Sequence, residues 1–196
     1  IAAEHRTELL SEPMPSGISE LDALLGGGID HSTATLLVGP AGTGKSAIAT
    51  QFACAAAARG EAVNIFLFEE RVGTLRRRSQ HLGMPLDALI EQGKVQIQQI
   101  DPAELAPDEF TQLVRDAVDE RGARIVIIDS INGYFNAMPE ARHLTLQMHE
   151  LLAFSSERGV ASILTMAQSG MLGQMSSPVD LSYLADTIVM LRYFEA

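Results

Sequence analysis

The sequence predicts an α/β fold, with a mainly parallel central sheet and helices on both faces. Three observations carry this. Strand-like apolar runs alternate with helix-like stretches throughout the chain, which is how successive βα units build a parallel sheet. One run, RIVIID (124–129), is nearly continuous in apolar residues, as a strand covered on both faces should be. A glycine-rich turn, GPAGTG, stands directly between a strand and a helix.

In chain order, residues 1–15, with Pro13 and Pro15, read as a lead-in or linker, and residues 16–196 as the folded domain. ATLLVG (34–39) is the first strand. Residues 46–59 are alanine-rich and helical, stopped by Gly60. AVNIFLF (62–68) is the next strand. Residues 73–92 form two short helices, broken at Gly83 and Pro85. KVQIQQI (94–100) alternates apolar and polar residues, the mark of a strand with one less buried face. Helices are expected over 108–121 and 140–158, ending at Gly122 and Gly159. VASILTM (160–166) and TIVMLRY (187–193) complete the strands. AQSGMLGQMSSPVD (167–180) is polar and glycine-containing and reads as a long loop, a kind of segment that often carries function.

A chain of 196 residues suggests one domain. At that length a core forms without a disulfide or structural metal. The single cysteine, Cys54, lies among alanines in FACAAAA and reads as a small packed side chain. A reducing, cytoplasmic setting is expected. No apolar run approaches the roughly 20 residues of a membrane span, and no signal peptide is expected. Position 1 is Ile, so the chain is expected to be part of a longer protein. Net charge is −11, and Lys45 and Lys94 are the only lysines. This balance argues against a nucleic-acid partner, whose phosphates require clustered Lys and Arg. The one basic cluster, Arg76 to Arg78, reads as a solvated helix face.

GPAGTGKS, residues Gly39, Pro40, Ala41, Gly42, Thr43, Gly44, Lys45 and Ser46, fits the P-loop pattern G-x-x-x-x-G-K-[ST] completely. At average glycine usage of about 7%, such a match arises by chance in a chain this long roughly once in a hundred. The glycines permit a tight turn whose N–H groups, with the positive helix end, cradle phosphates. Lys45 then meets the β- and γ-phosphates of ATP, and Ser46 offers a hydroxyl to Mg²⁺. A second acidic metal partner is required on a neighbouring strand. RIVIIDS supplies Asp129 where its apolar run ends, at the carboxyl edge where ligands of open α/β sheets bind.

NIFLFEER (64–71) ends an apolar strand in two adjacent carboxylates, Glu69 and Glu70, at that same edge. Hydrolysis there needs a group that orients and deprotonates a water in line with the γ-phosphate. A carboxylate suits this, and a close second one raises its proton affinity. Neighbouring strand residues face opposite ways, so the two are expected to do different jobs. The bland alternative is a solvated loop pair salt-bridged to Arg71.

These residues, in this order, resemble the KaiC family of RecA-like ATPases. The lead-in SGISELDALLGGGI (16–29) is similar to that family's S/T-G-I-x-x-L-D-x-L-L-G-G-G-I, although any helix capped by glycines would read this way. FEE (68–70) resembles the family's paired catalytic glutamates. The resemblance runs from about Ser16 to Ala196. It implies an ATPase that forms homo-hexameric rings with nucleotide between subunits, and a second ATPase domain in the same chain. AAEHRTELL resembles an interdomain junction, so this domain is similar to the second copy. Leu82 departs from the aromatic residue that the family's clock protein has near the base, and the chain ends before the strand whose Lys and Arg reach the neighbour's γ-phosphate. In that clock protein an adjacent Ser-Thr pair is autophosphorylated. The matching stretch DLSYLADTIVML puts Ser182 and Tyr183 there, which makes Ser182 a candidate acceptor and the bulkier Tyr183 a poor one.

Two other functions share this core. One is a DNA-translocating RecA- or DnaB-like motor, against which stands the lack of any Lys or Arg between Arg158 and Arg192. The other is a nucleotide-dependent assembly module with negligible turnover.

Overall fold

The computed structural model describes residues 12–101, 106–136, 144–168 and 184–193. Its elements are α1 (Ser19–Leu24), β1 (Ala34–Gly39), α2 (Lys45–Arg59), β2 (Ala62–Leu67), α3 (Val72–His81), α4 (Leu86–Glu91), β3 (Val95–Gln99), α5 (Pro107–Asp119), β4 (Ala123–Asp129), α6 (Ile131–Asn136), α7 (Leu144–Glu157), β5 (Ala161–Ala167) and β6 (Thr187–Met190). The strands form one sheet in the order β3-β2-β4-β5-β1-β6, and every pairing is parallel. All carboxyl ends therefore share one edge.

Alternation along the strands divides the core in two. Leu37, Ile65, Leu67, Ile125, Ile127 and Ile163 face α2, α3 and α4. Leu36, Val38, Phe66, Val126, Ile128 and Leu164 face α5, α6 and α7. Being apolar on both faces is why the central strands read as continuous apolar runs. On the second face Phe66, Phe68, Phe110 and Tyr134 meet with ring centroids 5.1 to 5.9 Å apart. Such pairs contribute about 0.5–1.5 kcal/mol each beyond area burial.

Two expectations change. A helix, α6, follows β4 where none is predicted. Its six residues, INGYFN, include a glycine and show no apolar period, and burial of Ile131 and Tyr134 against the sheet holds it. The last strand ends at Met190, not Tyr193, although Leu191 N still donates to Val38 O at 2.8 Å. β3 lies at the sheet edge with Gln96 and Gln99 exposed and Gln98 half-buried, so exposure there follows the edge position and not the strict alternation expected. The loop expected over 167–180 lies outside the described residues except for Ala167 and Gln168, as do the first four residues of the helix expected over 140–158.

The lead-in is pinned by polar contacts, since α1 buries no residue. Asp22 accepts from Ser16 N at 2.6 Å, Ser16 Oγ at 2.7 Å and Gly17 N at 3.1 Å. Gln51 on α2 donates to Ser16 O at 2.9 Å. Met14 then pairs antiparallel with Ile29. Gly28 passes so close that a Cβ there would lie 2.1 Å from Met14 O. Among the described residues, no helix is long and apolar enough to cross a membrane.

Candidate functional site

β1 delivers the chain to the carboxyl edge at Gly39, and α2 begins at Lys45. The turn between them is tight. Gly42 and Gly44 take φ of +81° and +95°, a backbone region open to glycine at little cost. Gly39 is required for a different reason, because a Cβ there would lie 2.4 Å from Leu191 O just past β6. Thr43 Oγ1 donates to Pro40 O at 2.9 Å, and the Tyr193 hydroxyl donates to Ala41 O at 2.5 Å. The loop is thus braced from outside while Gly42, Gly44, Lys45, Ser46 and Ala47 line a cleft at the helix N-terminus. Partial positive charge and free N–H groups at a helix start favour anions.

Lys45 is buried. Its ammonium donates to Gly39 O at 2.9 Å and Pro40 O at 2.7 Å, which leaves one of its three N–H bonds for another acceptor. Burial holds its pKa below the ordinary lysine value, and the carboxylate of Asp129 partly opposes that. Asp129 ends β4, also buried, and accepts from Thr165 Oγ1 on β5 at 2.5 Å.

Parallel register brings the next carboxylate in. Leu67 is paired with Asp129, and Phe68 N donates to Asp129 O at 2.8 Å. The residues that follow, Glu69 and Ser130, therefore lie side by side, and Ser130 Oγ donates to Glu69 Oε2 at 2.6 Å. The peptide between Asp129 and Ser130 is cis. Asn132 closes the far side, donating to Ala167 O at 3.1 Å and accepting from Ala167 N at 2.7 Å.

Glu70 turns elsewhere, into an ion pair with Arg78 of α3. The two glutamates thus take different partners. The loop alternative named Arg71 as the partner, and that is corrected to Arg78. The solvated-face reading of Arg76 to Arg78 is corrected as well. Arg76 and Arg77 are exposed, but Arg78 is half-buried and lines the P-loop cleft. Arg78 faces the cleft because it lies one turn beyond Leu75, on the side of α3 that turns inward with Ser79. Its spacing of three from the apolar Leu75 is the sequence signal that sets it apart from Arg76 and Arg77. Thr165 and Ser130 also left a signal: hydroxyls at the carboxyl ends of otherwise apolar strands. Ser182 lies outside the described residues.

Asp129 and Ser46 are oxygen donors, a carboxylate and a hydroxyl. That set suits Mg²⁺, which takes one or two protein oxygens and completes its shell with phosphates and waters. Among the described residues no group of three or more His, Cys, Asp or Glu is placed to hold a metal ion.

A family model described as "ATPase: KaiC" matches residues 14–196. "Circadian clock protein KaiC3" of Synechocystis sp. is 26% identical over 183 residues, 92% of this chain and 36% of that protein. "DNA repair protein RadA" of Brucella abortus is 28% identical over 185 residues, 92% of this chain and 37% of that protein. "Circadian clock oscillator protein KaiC" of Prochlorococcus marinus is 24% identical over 186 residues, 92% of this chain and 35% of that protein. The chain therefore spans little more than a third of the length of these relatives.

Proposed function

The chain belongs to the KaiC family of ATPases, and from that premise we propose that it hydrolyses ATP with Mg²⁺ and assembles into hexameric rings bridged by nucleotide. Membership makes it a nucleotide-binding ATPase of the RecA-like kind. The finer reading is supported by one observation above the others. The sheet register sets the P-loop lysine, Asp129 and the Glu69–Ser130 pair at one edge.

In this reading the P-loop backbone from Gly39 to Ser46 cradles the phosphates and Lys45 binds the β- and γ-phosphates. Ser46 and Asp129 would hold Mg²⁺, which neutralises charge on the phosphate oxygens. Glu69, fixed by Ser130, and Glu70, fixed by Arg78, orient a water in line with the γ-phosphate and take its proton. Catalysis of this kind is mostly positioning and electrostatics. Slow transfer to Ser182 is a side reaction of the same centre. Its Oγ would bond to the γ-phosphorus as the bridging bond to ADP breaks, and its proton would pass to a carboxylate.

Light scattering with and without Mg²⁺-ATP, with phosphate release measured on the same samples, tests this. Larger particles and steady phosphate release are expected. Assembly without release would favour the non-hydrolysing module, and neither would overturn the proposal. The similarity to a DNA repair protein favours a second reading, a DNA-linked motor. The acidic balance and the absence of Lys and Arg from 159 to 191 weigh against it. Tight binding of single- or double-stranded DNA in a low-salt gel shift would reverse that ranking.

A further inference from the structure

The P-loop is braced by a residue that its own pattern does not contain. Past β6 the chain stays beside β1. Leu191 N donates to Val38 O at 2.8 Å, and the Tyr193 hydroxyl donates to Ala41 O at 2.5 Å. Tyr193 is 55% exposed and is not among the residues that line the P-loop cleft, so its phenol meets the loop from the outer side. Gly42 is shaped to this contact, because a Cβ there would lie 2.7 Å from the Tyr193 hydroxyl. The P-loop spacing asks for no glycine at position 42, which is one of its free positions. A hydrogen bond on one side of a peptide also fixes its other side. The Ala41–Gly42 peptide is trans, and in a planar trans peptide the C=O and N–H point in opposite directions. With Ala41 O turned out to Tyr193, the Gly42 N–H is turned away from the phenol. Gly42 lines the cleft with Gly44, Lys45 and Ser46, and its N–H donates to no backbone carbonyl among the described residues. It is free to meet an anion beside the N-terminus of α2. Gly39 O and Pro40 O are held from within the site by Lys45, whereas Ala41 O is held by the phenol.

We propose that Tyr193 is a positioning residue of the nucleotide site: by holding Ala41 O outward, its hydroxyl aims the Gly42 N–H at the phosphates. This rests on the ATPase reading, to which it adds a residue from beyond the last strand of the sheet. The phenol acts through the P-loop backbone and does not itself touch nucleotide. A phosphate that accepts from Gly42 N–H polarises the peptide and strengthens the phenol's own bond, since hydrogen bonds in a chain reinforce one another. ADP also places phosphates on the P-loop, so the brace serves both nucleotides.

The test is calorimetric titration of the full chain with Mg²⁺-ATP and Mg²⁺-ADP, for wild type and Tyr193→Phe, with phosphate release and thermal unfolding alongside. Tyr193→Phe keeps the ring and removes only the donor. It should weaken both nucleotides about three- to tenfold, the range expected for one lost hydrogen bond. KM for ATP should rise while kcat stays close to wild type, the mark of lost binding shared by ground and transition states. Tyrosine emission gives an independent reading. The chain has three tyrosines and no tryptophan, so saturation with Mg²⁺-ADP should change the emission of wild type and leave that of Tyr193→Phe nearly flat. Unchanged affinity for both nucleotides in Tyr193→Phe, or an emission change that survives in it, would overturn the proposal. So would a loss of affinity matched by a loss of thermal stability, which would make Tyr193 a structural partner of the loop. Wild-type protein that binds neither nucleotide would instead overturn the ATPase reading on which this one stands.

Discussion

Ser130 donates a 2.6 Å hydrogen bond to Glu69, so the residue that follows Asp129 fixes the carboxylate at the end of the neighbouring strand. The groups proposed to face the metal and the water are thereby coupled through one hydroxyl. Glu69 is held on that side and Glu70 on the other, by Arg78.

Glu70→Gln is expected to bind ATP about as well as wild type and to hydrolyse it about 10²- to 10⁴-fold more slowly, the usual cost of losing a general base. Glu69→Gln should act in the same direction. Phosphate release at saturating ATP measures both. Full turnover in the two single variants and the double variant would make the pair structural.

Lys45→Ala should abolish nucleotide binding, since it removes the buried cation of the P-loop and leaves Asp129 uncompensated. Unchanged ATP affinity would refute the P-loop assignment. A pH series on wild type adds a sign. The ammonium must be charged to hold phosphate, and burial lowers its pKa. ATP affinity should therefore decline on the alkaline side sooner than an ordinary lysine would give.

Gly133→Ala tests how closely α6 seats against the site. In an open helix the change would favour folding by about 1 kcal/mol. Here the new Cβ would lie 2.5 Å from the Cβ of Phe68 and 3.1 Å from the Cγ of Glu69. Phe68 is packed edge-on against Phe110 and Tyr134 and has no room to yield. Overpacking of this kind costs about 1–3 kcal/mol, so the clash should win. Urea unfolding should show net destabilisation, and turnover should fall more than ATP affinity because Glu69 is pushed aside.

Cys54 should be inert in the folded protein. Burial in α2 pushes its thiol up to about 11, so at pH 8 only about one molecule in a thousand carries the reactive thiolate. A thiol reagent should label it slowly in native buffer and quickly in urea. Fast labelling of the native protein would show that α2 is not packed as described.

The parts of the site that belong to strands and the P-loop were legible because each has a local rule. GPAGTGKS has a spacing, RIVIID ends where its apolar run ends, and FEE follows a strand. The bounds of the central strands followed for the same reason, since burial on both faces writes an apolar run into the sequence, whereas β6, half-buried, ended short of its apolar run. Arg78 was hard to read because Arg76, Arg77 and Arg78 carry the same letter, and only its spacing of three from Leu75 marks the inward side of a helix with few apolar residues. α6 was missed because six residues around Gly133 hold no period, and its stability comes from Tyr134 docking on distant rings.

Thr165 offers the most local test of the metal proposal. Its hydroxyl is fully buried and donates to Asp129 Oδ1 at 2.5 Å, so it orients the carboxylate proposed to hold Mg²⁺. Thr165→Val keeps the shape and β-branching and removes only that donor. Loss of an outer partner of a metal ligand typically costs about 10- to 100-fold in metal affinity or activity. The Mg²⁺ concentration that half-saturates phosphate release should therefore rise by about tenfold or more, with nucleotide binding in excess Mg²⁺ nearly intact. Thermal unfolding read on the same variant separates the outcomes. A raised Mg²⁺ requirement with a stable fold supports Asp129 as the metal group. An unchanged requirement with a stable fold would remove Thr165 from the site and weaken the assignment of Asp129 with it.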